Sequence, residues 1–462
     1  MAQTSAFVDF SSEIQARPDR HARLDAERYT SAAFMDREWE TVWTRSWLFV
    51  GLEEDVRNPG DYFTYSLRRE SIVVTRTKSG ALQALFNVCQ HRGNRLVTQE
   101  RGSMNRFVCP YHGWMYELDG TLARVPDEEL FRGGVPCAER SLKPVRVEVW
   151  AGLIWVTMNP DAPPLATYLG ATIGALAPYR FEKMRLVKHQ TVALDANWKT
   201  VRDNFLEQYH VDFIHPQHAT MVDCCNSHND LMPFGHTSTA VEGFVTNPRY
   251  PIPHEVPELM QIGLRNLGLD PQAYTGAVPR IRAAALAQKR KIGAQLGYSY
   301  DALSDAQVTD VFQYDFFPNL FMTIKPEELW IYGPRPHPTD PGKCYFDKWT
   351  LQIPAEVAVD QDRGLNLGVN PGLLRYAQDP RPDHECFTQD DVIAGSHTLT
   401  ITIDQDIHYL RDIQAGLHSR GFAHALLNAD EARVQHFHDW LDVWMTGDPF
   451  AGHARGRPQA AE

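Results

Sequence analysis

No run of apolar residues in this 462-residue chain approaches the length needed to cross a bilayer. The opening stretch MAQTSAFVDFSSEIQARPDR lacks the basic region and apolar core of a secretory leader. A cytoplasmic location is therefore the default expectation. Positive charge is in deficit: 45 Lys and Arg face 58 Asp and Glu, a net charge of −13. That balance disfavours nucleic acid or an anionic membrane as the main partner, since both need a basic surface. Cysteine is sparse as well. Seven residues (Cys89, Cys109, Cys137, Cys224, Cys225, Cys344 and Cys386), odd in number and irregular in spacing, make a poor disulfide framework and point to metal binding instead. Internal repeats and low-complexity segments are missing, and no G-x-G-x-x-G follows a strand, so a nicotinamide site is not expected on this chain.

What is present is ordinary globular composition, 43% hydrophobic and 22% charged, with a length that suggests two or three domains. Residues 25–48 carry apolar and aromatic side chains at helical spacing. From about 50 to 160, short runs such as DYFTYSL, SIVVTR, ALQALFNV and LIWVTM alternate with Gly, Pro and Asn turns, which reads as a small all-β domain left through NPDAPP. Mixed α and β follow. LATYLGATIGALAPY is expected to be a helix, HQTVALDANWKT a strand, and RIRAAALAQKRKIGAQLG a basic helix with a solvated face. Sheet strands are expected in VFQYDFFPNLFMTI and KCYFDKWTLQIP, two helices near the C-terminus, and disorder in the tail GHARGRPQAAE.

The β-domain contains CQHRGNRL and CPYHGWMY: Cys89-x-His91, seventeen residues, then Cys109-x-x-His112. Two thiolates and two imidazoles suit either zinc or an iron–sulfur cluster. Zinc sites usually pair like with like, whereas each pair here is one Cys and one His on a short loop. Two such loops can put both Cys on one iron and both His on the other, as in a Rieske [2Fe–2S] centre. Gly93 and Gly113 allow tight turns, Pro110 stiffens the second loop, and Trp114 can pack beside it. Arg92, Arg95, Arg101 and Arg106 outnumber Glu100 around these loops. This basic rim can receive an acidic electron donor, or be an ordinary solvated surface.

A second constellation lies in DNFLEQYHVDFIHP, Asp203 to Pro216. On a straight helix Glu207 and His210 share a face, while His210 and His215 splay by about 140°. Pro216 disfavours helix at His215, so the helix is expected to distort or end between the histidines, letting them converge. Two His and one carboxylate form the facial triad of non-haem Fe(II) oxygenases. Candidate acids are Asp203, Glu207, Asp212, and Asp404 and Asp406 in the distant TITIDQDIHYLRDIQAGLHS. Asn204 reads equally as a neighbour of the metal or as a helix-start residue. Tyr209 is expected in the core, His218, His228 and His236 at the surface of a loop, and Cys224–Cys225 as buried or half-buried thiols rather than a bridge.

Taken together, C-x-H-R-G with C-P-Y-H-G-W, NWKTVRDNFLEQYHVDFIHP, and D-I-x5-I-Q-x-G-L resemble the α (terminal oxygenase) subunits of the Rieske non-haem iron, ring-hydroxylating oxygenases. The resemblance covers most of the chain. It implies an α+β fold: N-terminal helices packing on the catalytic domain (1–45), an all-β Rieske domain (46–160), and a helix-grip (START/Bet v1-like) catalytic domain with an antiparallel sheet and helices (161–462). It implies a [2Fe–2S] cluster on Cys89, His91, Cys109 and His112, and Fe(II) on His210, His215 and Asp406, with Asp404 as runner-up. Glu207 matches a non-ligand acid that bridges to a cluster histidine of a neighbouring subunit and carries electron transfer. Most aromatic dioxygenases have Asp there, and some oxygenases of quaternary amines have Glu. A hydrogen bond orienting His210 is the alternative role, and the two can coexist.

The resemblance further implies a trimer (α3 or α3β3), electrons from NAD(P)H through a separate reductase and possibly a ferredoxin, and O2 as co-substrate. The reaction expected is hydroxylation or dihydroxylation of an aromatic or other small organic substrate. Monooxygenation of a quaternary amine, or demethylation of an O- or N-methyl group, is the alternative. Readings from other classes are a Rieske electron carrier with an inactive second domain, and a zinc hydrolase on the histidine pair. The iron content and the visible absorption of a cluster separate them.

Overall fold

The computed structural model describes residues 23–453; the opening stretch and most of the C-terminal tail read above lie outside the described residues. Two compact units emerge, one formed by residues 36–170 with 450–453 and the other by 23–35 with 171–449. Among the described residues no helix is long and apolar enough to cross a membrane.

The first unit is built on a seven-stranded antiparallel sheet, in the order Leu48–Leu52, Leu153–Thr157, Pro144–Trp150, Leu82–Phe86, Glu70–Arg76, Asp61–Leu67 and Arg101–Ser103. β-branched runs such as Ile72–Val73–Val74 suit its buried face. A smaller sheet joins Phe107–Val108, Met115–Tyr116 and Leu122–Arg124. Leu85, Leu96, Phe107, Trp114, Tyr116 and Leu122 share one core with Cys89 and Cys109. The two cysteine–histidine loops therefore stand on packed apolar side chains.

In the second unit an eight-stranded sheet runs Val222–Leu231, Thr237–Gly243, Val311–Phe316, Leu320–Ile324, Glu328–Pro336, Cys344–Gln352, Arg185–Leu194 and His384–Thr388. Only the last pairing is parallel. Two helices carry the chemistry. Trp198–Phe205 is capped by Asn197, whose side chain accepts from the Lys199 N–H at 2.9 Å. Ile401–Leu417 is capped by Thr400 and packs against it. Gln414 locks their relation: its Oε1 accepts from the Asn197 N–H at 2.8 Å, and its Nε2 donates to the Tyr29 carbonyl at 3.3 Å.

Three elements differ from expectation. LATYLGATIGALAPY forms two short helices, Leu165–Leu169 and Thr172–Leu176, because Gly170 turns the chain at φ +57°. HQTVALDANWKT is strand only as far as Leu194, after which the Asn197 cap starts a helix. The basic helix Ile281–Leu296 is not simply a solvated face: Lys289 is buried on Glu327 at 3.0 Å, and Arg282 pairs with Asp310.

Candidate metal centres

The two cysteine–histidine loops share one backbone design. The Gly93 N–H donates to the Cys89 carbonyl and the Gly113 N–H to the Cys109 carbonyl, each at 3.0 Å. The Cys89 N–H donates to Asn94 and the Cys109 N–H to Trp114, each at 2.8 Å. Both turns need a left-handed residue, and Gly93 and Gly113 supply it at φ +75° and +71°. The thiols are buried and free. Tyr116 Oη lies 3.3 Å from Cys89 Sγ and accepts from the Gln90 N–H at 3.0 Å.

The two imidazoles meet edge to face, 4.6 Å between centroids, and Trp114 stacks on His91 at 4.9 Å. Burial, then the neighbouring His112 and Arg92, hold His91 below its usual pKa, which favours the neutral form that binds metal. His91 Nδ1 is buried with no hydrogen-bond partner. Among the described residues, no three of these four place their donor atoms within 4.8 Å of one another. A single tetrahedral zinc needs a tighter set, with bonds of about 2.0–2.3 Å. A pair of irons fits the wider spread and the unpartnered Nδ1. The basic rim is half cancelled: Arg101 pairs with Asp55 at 2.9 Å and Arg106 with Glu117 at 2.7 Å, while Arg92 lies over the Tyr111 ring.

In the second unit the helix break comes earlier than expected. Helix Trp198–Phe205 stops before Glu207, and a one-turn helix, Val211–Ile214, follows His210. Glu207 starts that turn by accepting from the His210 N–H at 3.1 Å, and it also accepts from His210 Nδ1 at 2.5 Å. The two thus meet across the turn between two helices, not through a shared helical face. Tyr209, expected in the core, is consequently 50% exposed.

His215 Nδ1 donates to Gln405 Oε1 at 2.8 Å. Both imidazoles therefore keep Nε2 for the other side, where Asp406 lies. Asp406 Oδ1 is 2.9 Å from His215 Nε2 and 3.6 Å from His210 Nε2. His215 Nε2 and Asp406 Oδ1 are buried yet make no hydrogen bond of proper geometry. Lone pairs facing one another at that distance suit a cation between them: bonds of about 2.1 Å at right angles set neighbouring donors about 3 Å apart. His210, His215 and Asp406 together form a set able to hold one metal ion. Asp404 is engaged elsewhere, accepting from the Leu399 N–H at 2.9 Å and the Thr398 hydroxyl at 2.5 Å. Asp203 accepts from Tyr29 Oη at 2.6 Å, and Asp212 from Arg249 at 2.7 Å.

Asp406 also borders an apolar niche with Asn204, Val201, Phe205, Phe346 and Ile403. Phe205 stacks on Phe346 at 5.6 Å and packs on Tyr332 at 4.9 Å. Two histidine expectations change. His236 is buried and its Nδ1 accepts from the Phe317 N–H at 2.9 Å, and His218 is part-buried against Thr402 at 2.9 Å. His228 is exposed as expected. Cys224 is half-buried but Cys225 is exposed, and they are not bridged. Gln405 and Gln217 were not singled out from the sequence, whereas Gln414 is the glutamine of the D-I-x5-I-Q-x-G-L motif. The i−1 spacing of Gln405 to Asp406 was the only signal for it.

With this geometry in place, comparison with known proteins is decisive. Residues 181–447 match the catalytic domain of the ring-hydroxylating α subunit, and residues 46–138 match the Rieske [2Fe–2S] domain. The chain belongs to the ring-hydroxylating oxygenase α-subunit family. Its fold is α+β, and its cofactors are a Rieske [2Fe–2S] cluster and a mononuclear iron.

It is 34% identical over 204 residues to the carnitine monooxygenase oxygenase subunit of Escherichia coli K12, covering 44% of this chain and 54% of the relative. Over 185 residues it is 35% identical to the glycine betaine monooxygenase oxygenase subunit of Chromohalobacter salexigens, covering 39% and 40%. The benzene 1,2-dioxygenase α subunit of Pseudomonas putida is 39% identical over 161 residues, covering 35% and 36%. The aligned part thus spans about half the length of these curated relatives, or less. A solved quaternary ammonium Rieske monooxygenase shares the fold at TM-score 0.64 and 18% identity, over 92% of this chain and 95% of that one. Naphthalene 1,2-dioxygenase does so at 0.63 and 20%, over 92% and 93%.

Proposed function

We propose that this chain is the terminal oxygenase component of a multicomponent Rieske oxygenase, acting on a small organic substrate with O2 and with electrons from NAD(P)H through a partner reductase. The observation that carries the reading is the convergence of His210 Nε2, His215 Nε2 and Asp406 Oδ1, the last two buried with unpartnered lone pairs, beside an apolar lining. Cys89, His91, Cys109 and His112 would hold the cluster, and His210, His215 and Asp406 the mononuclear iron. When bound, the cluster supplies single electrons and the iron the site at which O2 is reduced.

The protein's own side chains set the conditions. Glu207 and Gln405 each accept a hydrogen bond from an Nδ1–H, which fixes the tautomer of His210 and His215 and presents both Nε2 atoms inward. Phe205, Phe346 and Ile403 exclude water from the niche beside Asp406. A homotrimer is the expected assembly, and exposed aromatics near both centres are available to its interfaces. Tyr209 and Phe213, 50% and 78% exposed, follow Glu207 in the chain, and Tyr111, 57% exposed, packs on His112 at 3.9 Å. In that assembly Glu207 would meet a cluster histidine of the next subunit and link the two centres.

A second reading, monooxygenation of a quaternary amine, is favoured by Glu at position 207. Phe205 and Phe346, which line the niche beside Asp406, offer ring faces that suit a methylammonium as well as an arene. Two relatives bear the names carnitine and glycine betaine monooxygenase. The test is turnover of the purified protein with a Rieske-oxygenase reductase, NADH and 18O2, offered glycine betaine, carnitine and benzene in turn. Label in an oxidised product of any of them supports the oxygenase, and the substrate consumed decides between the readings. An electron carrier would show a cluster spectrum, about two Fe per chain in place of about three, and no labelled product.

A further inference from the structure

The turn Val211–Ile214 lies between two of the iron-binding side chains, with His210 at its start and His215 at its end. Its backbone bonds are few: the Ile214 N–H donates to the His210 carbonyl at 3.0 Å and the His215 N–H to the Val211 carbonyl at 2.9 Å. A single helical turn is unstable by itself in water, because nucleation fixes several dihedrals for each hydrogen bond gained. Burial does not hold this one. None of its four residues is buried, and Phe213 is 78% exposed. The spacing of His210 and His215 therefore depends on what fastens the turn from outside.

Of the side chains of Val211, Asp212, Phe213 and Ile214, only that of Asp212 can form hydrogen bonds. Both of its oxygens are taken by one short segment. Asn247 Nδ2 donates to Oδ1 at 2.8 Å, and Arg249 Nη1 donates to Oδ2 at 2.7 Å. Asn247 is fully buried and each of its polar atoms is engaged. Its N–H donates to the Ala219 carbonyl at 2.8 Å, and its own carbonyl accepts from the Tyr250 N–H at 2.9 Å. Its Oδ1 accepts from the Arg249 N–H at 3.0 Å and from the Cys225 thiol at 3.2 Å. Turning that amide would leave a buried polar atom unsatisfied, so it is a rigid arm. Arg249 is half exposed, and its ion pair with Asp212 is the weaker arm.

We propose that Asp212 is a positioning residue for the mononuclear iron: the fork of Asn247 and Arg249 on its carboxylate fixes the turn, and the turn sets the separation of His210 and His215. The proposal rests on the reading of those histidines as iron ligands and adds a determinant of iron affinity that is not itself a ligand. It is tested on the iron-loaded holoprotein by chelator competition for the mononuclear Fe(II). The second readout is the electron paramagnetic resonance of the nitric oxide adduct of that iron, with the cluster oxidised and silent. Asp212→Ala is expected to weaken iron binding about tenfold, the low end for groups that support a metal-bound imidazole. Its nitric oxide signal should change in rhombicity while cluster absorption stays that of wild type. Asn247→Ala should match it. Arg249→Ala, which removes the exposed arm, should lose about two- to fivefold. Asp212→Asn keeps an acceptor for Asn247 and should recover most of the affinity lost in Asp212→Ala.

Wild-type iron affinity in Asp212→Ala overturns the proposal. So does an affinity lost with no change in the nitric oxide signal, since the ligands would then not have moved. Should Asp212→Ala fail to fold, Arg249→Ala decides: wild-type affinity and signal in that variant also overturn it. About two Fe per chain in the wild-type protein would remove the iron reading and the proposal with it, whereas about three with an affinity insensitive to Asp212 removes the clamp alone.

Discussion

Glu207 holds His210 at two points: one carboxylate oxygen accepts from the ring Nδ1 at 2.5 Å and the other from the backbone N–H at 3.1 Å. Ring orientation and the start of the following turn are therefore set by one side chain. Glutamate is long enough to do both from three residues upstream, across the gap where helix Trp198–Phe205 has already ended.

Glu207→Gln keeps one acceptor and loses the charge. The variant is expected to retain the cluster and most of the mononuclear iron, and to lose most of its turnover. Glu207→Ala removes both contacts and should weaken iron binding about 10–100-fold, the usual effect of deleting a partner of a metal-bound imidazole. Chelator competition measures the affinity. Complete loss of iron in Glu207→Gln would make Glu207 a ligand and reverse its assignment.

Asp404 and Asp406 sit two residues apart on one helix and do different things. Asp406→Ala should drop the iron content from about three to about two per chain, with the visible absorption of the cluster intact. Asp404→Ala should keep all three. It gives up the contacts to Leu399 and Thr398 at the helix start, at a cost of about 1 kcal/mol in unfolding stability. Iron assay and denaturant titration of the pair read both effects, and the opposite pattern would transfer the ligand role to Asp404.

The cluster loops were legible in the sequence because everything they need is local: cysteine, histidine and glycine lie within five residues, and the turn follows from their order. The helix-borne centre was legible only in part. Pro216 foretold a break but not its place, since the turn at His210 is opened by the Glu207 side chain, and no spacing rule reports that. Tyr209 was misplaced for the same reason. Its neighbours are core residues on a continuous helix, and the early end of that helix turns it outward. His236 is buried by an element remote in sequence. Phe317 lies 81 residues away, so the residues next to His236 in the chain carried no trace of its surroundings.

Gly93 and Gly113 offer a clean test of loop design. Nothing lies within 4 Å of a Cβ added at Gly93, and one at Gly113 would only touch Pro126 at 3.4 Å. Alanine at either site is therefore penalised by its left-handed backbone, about 1–2 kcal/mol, and not by a clash. Both variants should fold and assemble a cluster that bleaches faster than wild type on exposure to air. Equal lability in the two is expected from the matching hydrogen bonds. A much larger effect at one site would mean the loops are not equivalent in holding their metal.

The buried His436 predicts an acid-side loss of stability in the catalytic unit. It is 3% exposed, its Nε2–H donates to the Met232 carbonyl at 2.8 Å, and burial pushes its pKa down to about 4. In the unfolded chain it titrates near 6.5. Because the folded value is the lower one, the unfolded state takes up the proton first as pH falls. The contribution of His436 is thus fully present above about pH 6.5 and is lost progressively down to about pH 4. The loss amounts to about 3 kcal/mol. Arg202 lies close enough to oppose protonation further, so no neighbouring charge rescues the imidazolium. His436→Gln keeps an amide donor for Met232 and cannot ionise. Urea unfolding followed by tryptophan fluorescence at pH 7.5 and 4.5 should show wild type losing more stability than His436→Gln, by up to that amount. Parallel losses in the two proteins would place the acid sensitivity on other groups.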